Sequence, residues 1–355
     1  MRQVKLGNRV IGDGHPTFII AEMACSHDGS VDKAKRIIRG AAEAKADAIN
    51  FQVFSIEDLM VPQYGSGKAR VSAGKESLPI FDYLKTISFG PQIWEQLFIY
   101  ARKRNLLIIS VCGDLPSIEL VSDLKPDAYT VSAPSLCEEK YVKKIAAKMK
   151  PVFIRTGGAF LGEIEKAIMW INECGNSDII LLHGFQNYPT KLEDMHLRYI
   201  QSLKQVFSLP VGIAEHTDAE SSLALVVPLV ALAFGANVIE KHITHDRKLK
   251  GEDFESALNP DEFKKFVEQV REIEKTFGSP GIGPLSEDEL NYRQVCRKRM
   301  VASRPIKRGH KITEGKVTFK RSDEGIYPDE STFIIGRTAN QNIEANDPIT
   351  WDKVL

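Results

Sequence analysis

Residues 238–247 read VIEKHITHDR, and the placement of that stretch decides the fold. The apolar pair Val238-Ile239 runs straight into Glu240, Lys241, His242, His245, Asp246 and Arg247. Just upstream, LALVVPLVALAFGAN (223–237) reads as a buried helix closed by Gly235. A strand therefore starts at Val238 and almost at once becomes charged. An apolar core does not hold that many charges without partners. The strand end is either solvated or one wall of an active site.

The same texture recurs along the chain. Short apolar runs rich in β-formers occur at 18–23 (FIIAEM), 48–54 (AINFQVF), 106–112 (LLIISVC), 128–133 (AYTVSA), 151–157 (PVFIRTG), 178–185 (DIILLHGF) and 210–216 (PVGIAEH); 238–244 (VIEKHIT) is the eighth. Amphipathic stretches such as VDKAKRIIRGAAEAK (31–45) and LGEIEKAIMWINECG (161–175) separate them. Continuous apolar strands alternating with helices predict a parallel sheet covered on both faces. Eight such units in roughly 260 residues is the content of a closed (β/α)8 TIM barrel. A doubly wound open sheet is the alternative, but no glycine-rich phosphate loop follows the first strand.

After PDEFKKFVEQVREIEKTFG (260–278), read as the last barrel helix, Pro and Gly interrupt the pattern. From about Arg297 the runs RMVASRPI, KVTFKR and STFIIGRTA are short and β-like. The expected division is a barrel over 1–283, a linker over 284–296 and a small all-β domain over 297–355. The unit after the second strand, 55–90, carries a long Gly-, Ser- and Lys-rich segment of the functional-loop kind.

Composition limits the partners. Lys+Arg and Asp+Glu are both 47 in 355 residues, so the formal net charge is zero. No basic face points to nucleic acid or an anionic membrane. No apolar run is long enough to span a bilayer. The N-terminal MRQVKLGNRVIGDGHP lacks a signal-peptide apolar core. Five cysteines without a CxxC pair predict reduced thiols and a cytoplasmic location. Cys25 and Cys112 read as buried bystanders.

In a barrel of this kind the site lies at the C-terminal ends of the strands. Those ends carry Glu22; Asn50 and Gln52; Arg155; His183 followed by Gln186 and Tyr188; Glu215 and His216; and Glu240, Lys241 and His242. His216 and His242 end adjacent strands, about 4.8 Å apart. Two imidazoles there suit a divalent metal that polarises a carbonyl. The same pair could instead be hydrogen-bonded within the mouth, and Glu22 could be one half of a salt bridge.

The stretches FIIAEMACSHDGS, AKADAINFQVF, HGFQNYPT, VGIAEHT, GANVIEKHITHDR and NPDEFKKF resemble the N-acetylneuraminate (sialic acid) synthase family, which includes legionaminic and pseudaminic acid synthases and spore-coat polysaccharide synthase-like proteins. RKRMVASRPIKRGHKITEGKVTFKR looks like that family's antifreeze-like (SAF) domain. The resemblance implies condensation of phosphoenolpyruvate with an N-acetylmannosamine-type aldose to a nine-carbon 2-keto acid and phosphate. It implies manganese or magnesium held by His216 and His242, with Glu22 and Tyr188 at the reacting centre. Substrate contacts would come from Asn50, Gln52, Arg155, His183, Gln186, Glu240, Lys241 and Asp253. It also implies a homodimer in which the SAF domain is swapped onto the partner barrel and brings Arg321 to the sugar. The chain departs from the family pattern at Asn50 and Thr130, where the family carries lysines, and at Arg155, where it commonly has serine. Arg155 and Lys241 are the expected replacements. A metal-dependent aldolase or lyase on a 2-keto sugar acid, and a non-catalytic paralogue acting as a binding module, are the alternatives.

Overall fold

A computed structural model describes residues 2–63, 78–185, 187–279 and 281–355. The chain divides into two compact units, residues 1–278 and 279–355.

The first unit opens with a hairpin, β1 (Val4–Leu6) and β2 (Arg9–Ile11). Gly7, with φ of 59°, takes the left-handed conformation that the first position of a two-residue hairpin turn needs. Eight parallel strands follow: β3 (Phe18–Ala24), β4 (Ala48–Val53), β5 (Leu107–Cys112), β6 (Ala128–Val131), β7 (Val152–Arg155), β8 (Ile179–His183), β9 (Val211–Glu215) and β10 (Val238–His242). β10 pairs with both β9 and β3, so the sheet closes into a barrel. All eight strand expectations hold to within a few residues at their ends.

Strand residues alternate between two faces. Phe18, Ile20, Ala48, Ile109, Ala128, Phe153, Ile180, Ala214 and Val238 pack inside, and Val4, Leu6 and Ile11 of the hairpin join them. The hairpin is thus part of the inner core. Its signal, the short runs VKL and RVI either side of a Gly7-Asn8 turn, is present in the sequence but lies outside the eight strands read there. The other strand face packs on the helices. Helix Val31–Glu43 starts where the Ser30 side chain accepts from the Lys33 amide, and it buries Ala34, Ile37, Ile38 and Ala41. A Cβ on its Gly40 would stand 2.9 Å from Pro260 Cβ, so glycine there lets the first and last barrel helices close up. That last helix, Pro260–Glu274, is held at its start by an Asn259–Glu262 capping box.

Two expectations need correction here. The stretch 223–237 gives a helix only over Val226–Ala233, and it is not wholly buried. Val226 and Val230 are exposed while Val227, Ala231 and Leu232 pack inward, as the outer layer of a barrel requires. In the second unit the antiparallel pair is β11 (Lys298–Ala302) with β12 (Val317–Arg321). STFIIGRTA is not a strand. It begins within a 3-10 helix, Pro328–Phe333, and thereafter makes only isolated bridges. This unit still has its own core of Met300, Ala302, Ile306, Ile312, Ile326, Ile334, Ala339, Ile343 and Ile349. Helix Glu287–Cys296 occupies most of the stretch read as a linker. The Gly- and Ser-rich part of the 55–90 unit lies outside the described residues.

Candidate active site at the barrel mouth

The inward positions turn polar at the C-terminal ends of the strands. Glu22, Asn50, Glu240, His216 and His242 are each at most 3 % exposed. Thr130 is fully buried and inward on β6. These groups answer the question raised by VIEKHITHDR: the charges of β10 are buried, and they have partners.

One cluster joins three strands and β7. Asn50 Nδ2 donates to Glu22 Oε2 at 2.8 Å and to Glu240 Oε2 at 3.0 Å. The Arg155 guanidinium pairs with Glu22 and, at 2.8 Å, with Glu240 Oε1. The Ala24 amide donates to Glu22 Oε1 at 2.7 Å. Burial pushes the Glu22 carboxyl up to about 7, with Arg155 opposing the shift and the charge of Glu240 adding to it. Burial by itself would weaken Arg155 as a cation, but Glu240 and Glu22 more than offset it. Asn50 Oδ1, Thr130 Oγ1 and Arg155 Nε are buried without a hydrogen-bond partner. Buried polar atoms are ordinarily paired, so these orphans at the barrel mouth make it a candidate site for a polar ligand.

The second cluster is aromatic. The His216 and His242 ring centroids are 5.1 Å apart, and the Tyr188 ring meets them at 4.5 and 5.5 Å. His216 Nδ1 lies 2.9 Å from the Phe185 carbonyl oxygen, an arrangement that leaves Nε2 as the free ligand atom. His242 Nδ1 is buried and unpartnered. Burial, helped by the charge of Arg155, lowers His216 to about 3. Burial and then the neighbouring His216 hold His242 well below its ordinary value. Both rings are therefore neutral at physiological pH, the form that ligates metals. Among the described residues no group of three or more His, Cys, Asp or Glu side chains forms a metal cluster. Two neutral imidazoles with an orphaned ring nitrogen fit a divalent ion whose other positions are filled by water or substrate.

Tyr188 is held neutral by burial first and by the charge of Asp253 second, so Asp253 lies near the mouth. Asp253 has φ of 57°, and its carbonyl accepts from the Ser256 amide. Gln52 follows Asn50 on the inward face of β4 and is partly exposed. Gln186 lies outside the described residues. Arg321, at the end of β12, is exposed in the second unit. Cys25 and Cys112 are buried, and burial raises both thiols.

Two expected site residues face the other way. Lys241 lies between inward Glu240 and inward His242, so it points out toward the helices. There it pairs with Glu215, and both side chains are 0 % exposed. It is not a substrate cation. His183 shares the outward side of β8 with Ile179 and Leu181. Its Nε2 lies 2.9 Å from the Met195 carbonyl oxygen, and it lines a separate 490 Å³ cavity with Tyr199 and Phe185. In both cases sequence position at a strand end was read without its parity. Parity also puts Glu215 on the same outward face, directly across from Lys241.

The NeuB family profile matches residues 37–281 and the SAF domain profile residues 300–355. An uncharacterised protein of Methanocaldococcus jannaschii is 34% identical over 355 residues, covering 100% of this chain and 99% of that protein. The N,N'-diacetyllegionaminic acid synthase of Campylobacter jejuni is 31% identical over 335 residues, 94% of this chain and 98% of its own. Among solved structures, the N-acetylneuraminic acid (sialic acid) synthetase of Leptospira borgpetersenii aligns with TM-score 0.72 and 31% identity, covering 82% of this chain and 96% of that one.

Proposed function

The chain belongs to the NeuB family, and on that footing we propose that it condenses phosphoenolpyruvate with an N-acetylmannosamine-type aldose to a nine-carbon 2-keto acid and phosphate. It is an enzyme of the sialic-acid-synthase kind. The observation that carries the finer reading is the pairing of two neutral imidazoles, 5.1 Å apart between ring centroids, with a buried Glu22–Asn50–Arg155–Glu240 cluster in one barrel mouth.

In the reaction, carbon 3 of phosphoenolpyruvate bonds to the aldehyde carbon, water adds at carbon 2, and phosphate leaves. His216 and His242 would hold a manganese or magnesium ion, which when bound acts as a Lewis acid on the aldehyde oxygen. Glu22, with a carboxyl held near neutrality, is suited to carry a proton between the attacking water and the product oxygens. Tyr188, kept protonated, can donate a hydrogen bond to a developing anion. Glu240 and Asp253 are assigned the sugar hydroxyls, with Gln52 and Gln186 as further polar contacts. Arg155 is assigned the anionic end of the donor, since a guanidinium grips carboxylate or phosphate bidentately. Asn50 holds both carboxylates in place for it. Arg321 of a second copy is assigned to the sugar, in a homodimer with the SAF domain swapped onto the partner barrel.

Replacing Arg155 by alanine tests the donor assignment. We expect the phosphoenolpyruvate KM to rise roughly ten- to a hundredfold, the value of one charged contact at about 1.5–3 kcal/mol, with the aldose KM unchanged. An effect confined to the aldose would contradict it.

A second reading has its own support. Arg155 is the one guanidinium or ammonium among the inward strand-end side chains of the described residues, and two carboxylates already share it. That balance favours a donor without phosphate, as in an aldolase or lyase on a 2-keto sugar acid. Pyruvate consumption in place of phosphoenolpyruvate would select this reading. No helix among the described residues is long and apolar enough to cross a membrane.

A further inference from the structure

Behind the two imidazoles, on the helix side of the barrel wall, lies an ion pair with no part in the site. Lys241 Nζ meets Glu215 Oε2, and both side chains are fully buried. The two residues are direct partners across β9 and β10. Their neighbours on that face, Ile213, Ile239 and Ile243, are apolar. Burying two charges in such a layer costs more than an apolar pair of the same size would, so stability alone does not account for it.

The geometry around Glu215 shows what else it does. Its second oxygen, Oε1, accepts from the Thr217 amide at 2.6 Å and from the Thr217 hydroxyl. One carboxylate therefore ties together the residues on either side of His216, and through Lys241 reaches the residue immediately before His242. The backbone of each histidine is pinned again beyond its strand. The His216 carbonyl accepts from Ser256 Oγ at 3.0 Å and from the Thr190 amide at 2.9 Å. The His242 carbonyl accepts from the Leu258 amide at 3.0 Å. The Glu215 carboxylate thus spans from one histidine's flanks to the other's.

We propose that Glu215 and Lys241 are a positioning pair that fixes the register of β9 against β10 at the mouth, and with it the separation and facing of His216 and His242. Neither touches substrate. Groups behind the direct ligands commonly set ligand orientation and metal affinity in this way. Here the link runs through backbone: because side chains alternate, a clamp on the outward residues sets the inward ones.

The proposal rests on the reading that His216 and His242 hold a divalent cation, and the test separates the two. Metal-free full-length protein is titrated with Mn2+ by calorimetry, and the bound ion is examined by electron paramagnetic resonance. If the wild type takes up no Mn2+, or His242→Ala binds it as tightly as the wild type, the metal reading itself fails. If the wild type binds and His242→Ala does not, the pair is tested with Glu215→Leu/Lys241→Met, which replaces it by apolar groups. We expect that variant to fold, by circular dichroism and Tm, but to bind Mn2+ at least tenfold more weakly and with an altered resonance spectrum. Lys241→Gln, which leaves Glu215 a neutral donor, is expected to fall between. Wild-type affinity and spectrum in the folded double variant would overturn the proposal. Loss of its fold would do so equally, because the pair would then serve stability. Wild-type affinity in Lys241→Gln would assign the effect to Glu215 alone and overturn the pair.

Discussion

Glu22 is a carboxyl that burial holds up at about 7, against 4.5 for an unconstrained glutamate. This sets a pH dependence with a definite sign. Below about 4.5 the native and unfolded chains both hold the proton, and Glu22 gives no slope. Between about 4.5 and 7 the native state retains a proton that the unfolded state has lost, so stability falls as pH rises; above 7 the loss is complete. A shift of this size is worth on the order of 3 kcal/mol. Wild type is therefore expected to lose about that much more than Glu22→Gln between about pH 5 and pH 8. Urea denaturation at the two pH values measures it, and equal losses would show that Glu22 ionises normally. The sequence placed Glu22, Asn50, Glu240, His216 and His242 at strand ends. It could not say that Asn50 would bridge two carboxylates or that Arg155 would be shared by them. Those contacts depend on side chains that meet only when β3, β4, β7 and β10 close round one axis.

At the scale of elements, the eight strands were legible because each is a continuous apolar run with a helix after it. Which way each strand-end residue points was equally in the sequence, since alternation is strict, but it needs one anchor inside the barrel. With Val238 inward, Glu240 and His242 follow and Lys241 cannot. The pairing of Lys241 with Glu215 gives a prediction: Lys241→Ala leaves a buried, uncompensated carboxylate and should cost about 3–5 kcal/mol in urea denaturation. A cost under about 1 kcal/mol, as for an exposed pair, would contradict the burial. The N-terminal hairpin makes another. Leu6 is 1 % exposed within the inner core. Leu6→Ala should therefore destabilise the barrel by about 2–5 kcal/mol, read from the same denaturation curves, whereas a surface hairpin would tolerate it.

For the whole molecule, two units with separate cores follow from two textures in the chain, long βα repeats and then short turns and bridges. The texture change was visible, but the 3-10 helix that runs into STFIIGRTA was not, because the β-branched and aromatic residues there also suit a strand. The proposed domain-swapped homodimer predicts complementation. Arg321→Ala and His242→Ala should each be inactive alone. Mixed after dissociation and reassembly, they should recover roughly a quarter of wild-type activity, because random pairing makes half the dimers mixed and each has one complete site. No recovery would place Arg321 outside the partner's site. The central claim is most directly tested by incubating the protein with Mn2+, phosphoenolpyruvate and a panel of N-acetylmannosamine-type and simple aldoses, then measuring phosphate and product mass. The account predicts phosphate release matched by a 2-keto acid three carbons longer than one aldose. No phosphoenolpyruvate consumption with any aldose, in protein that binds Mn2+, would contradict it.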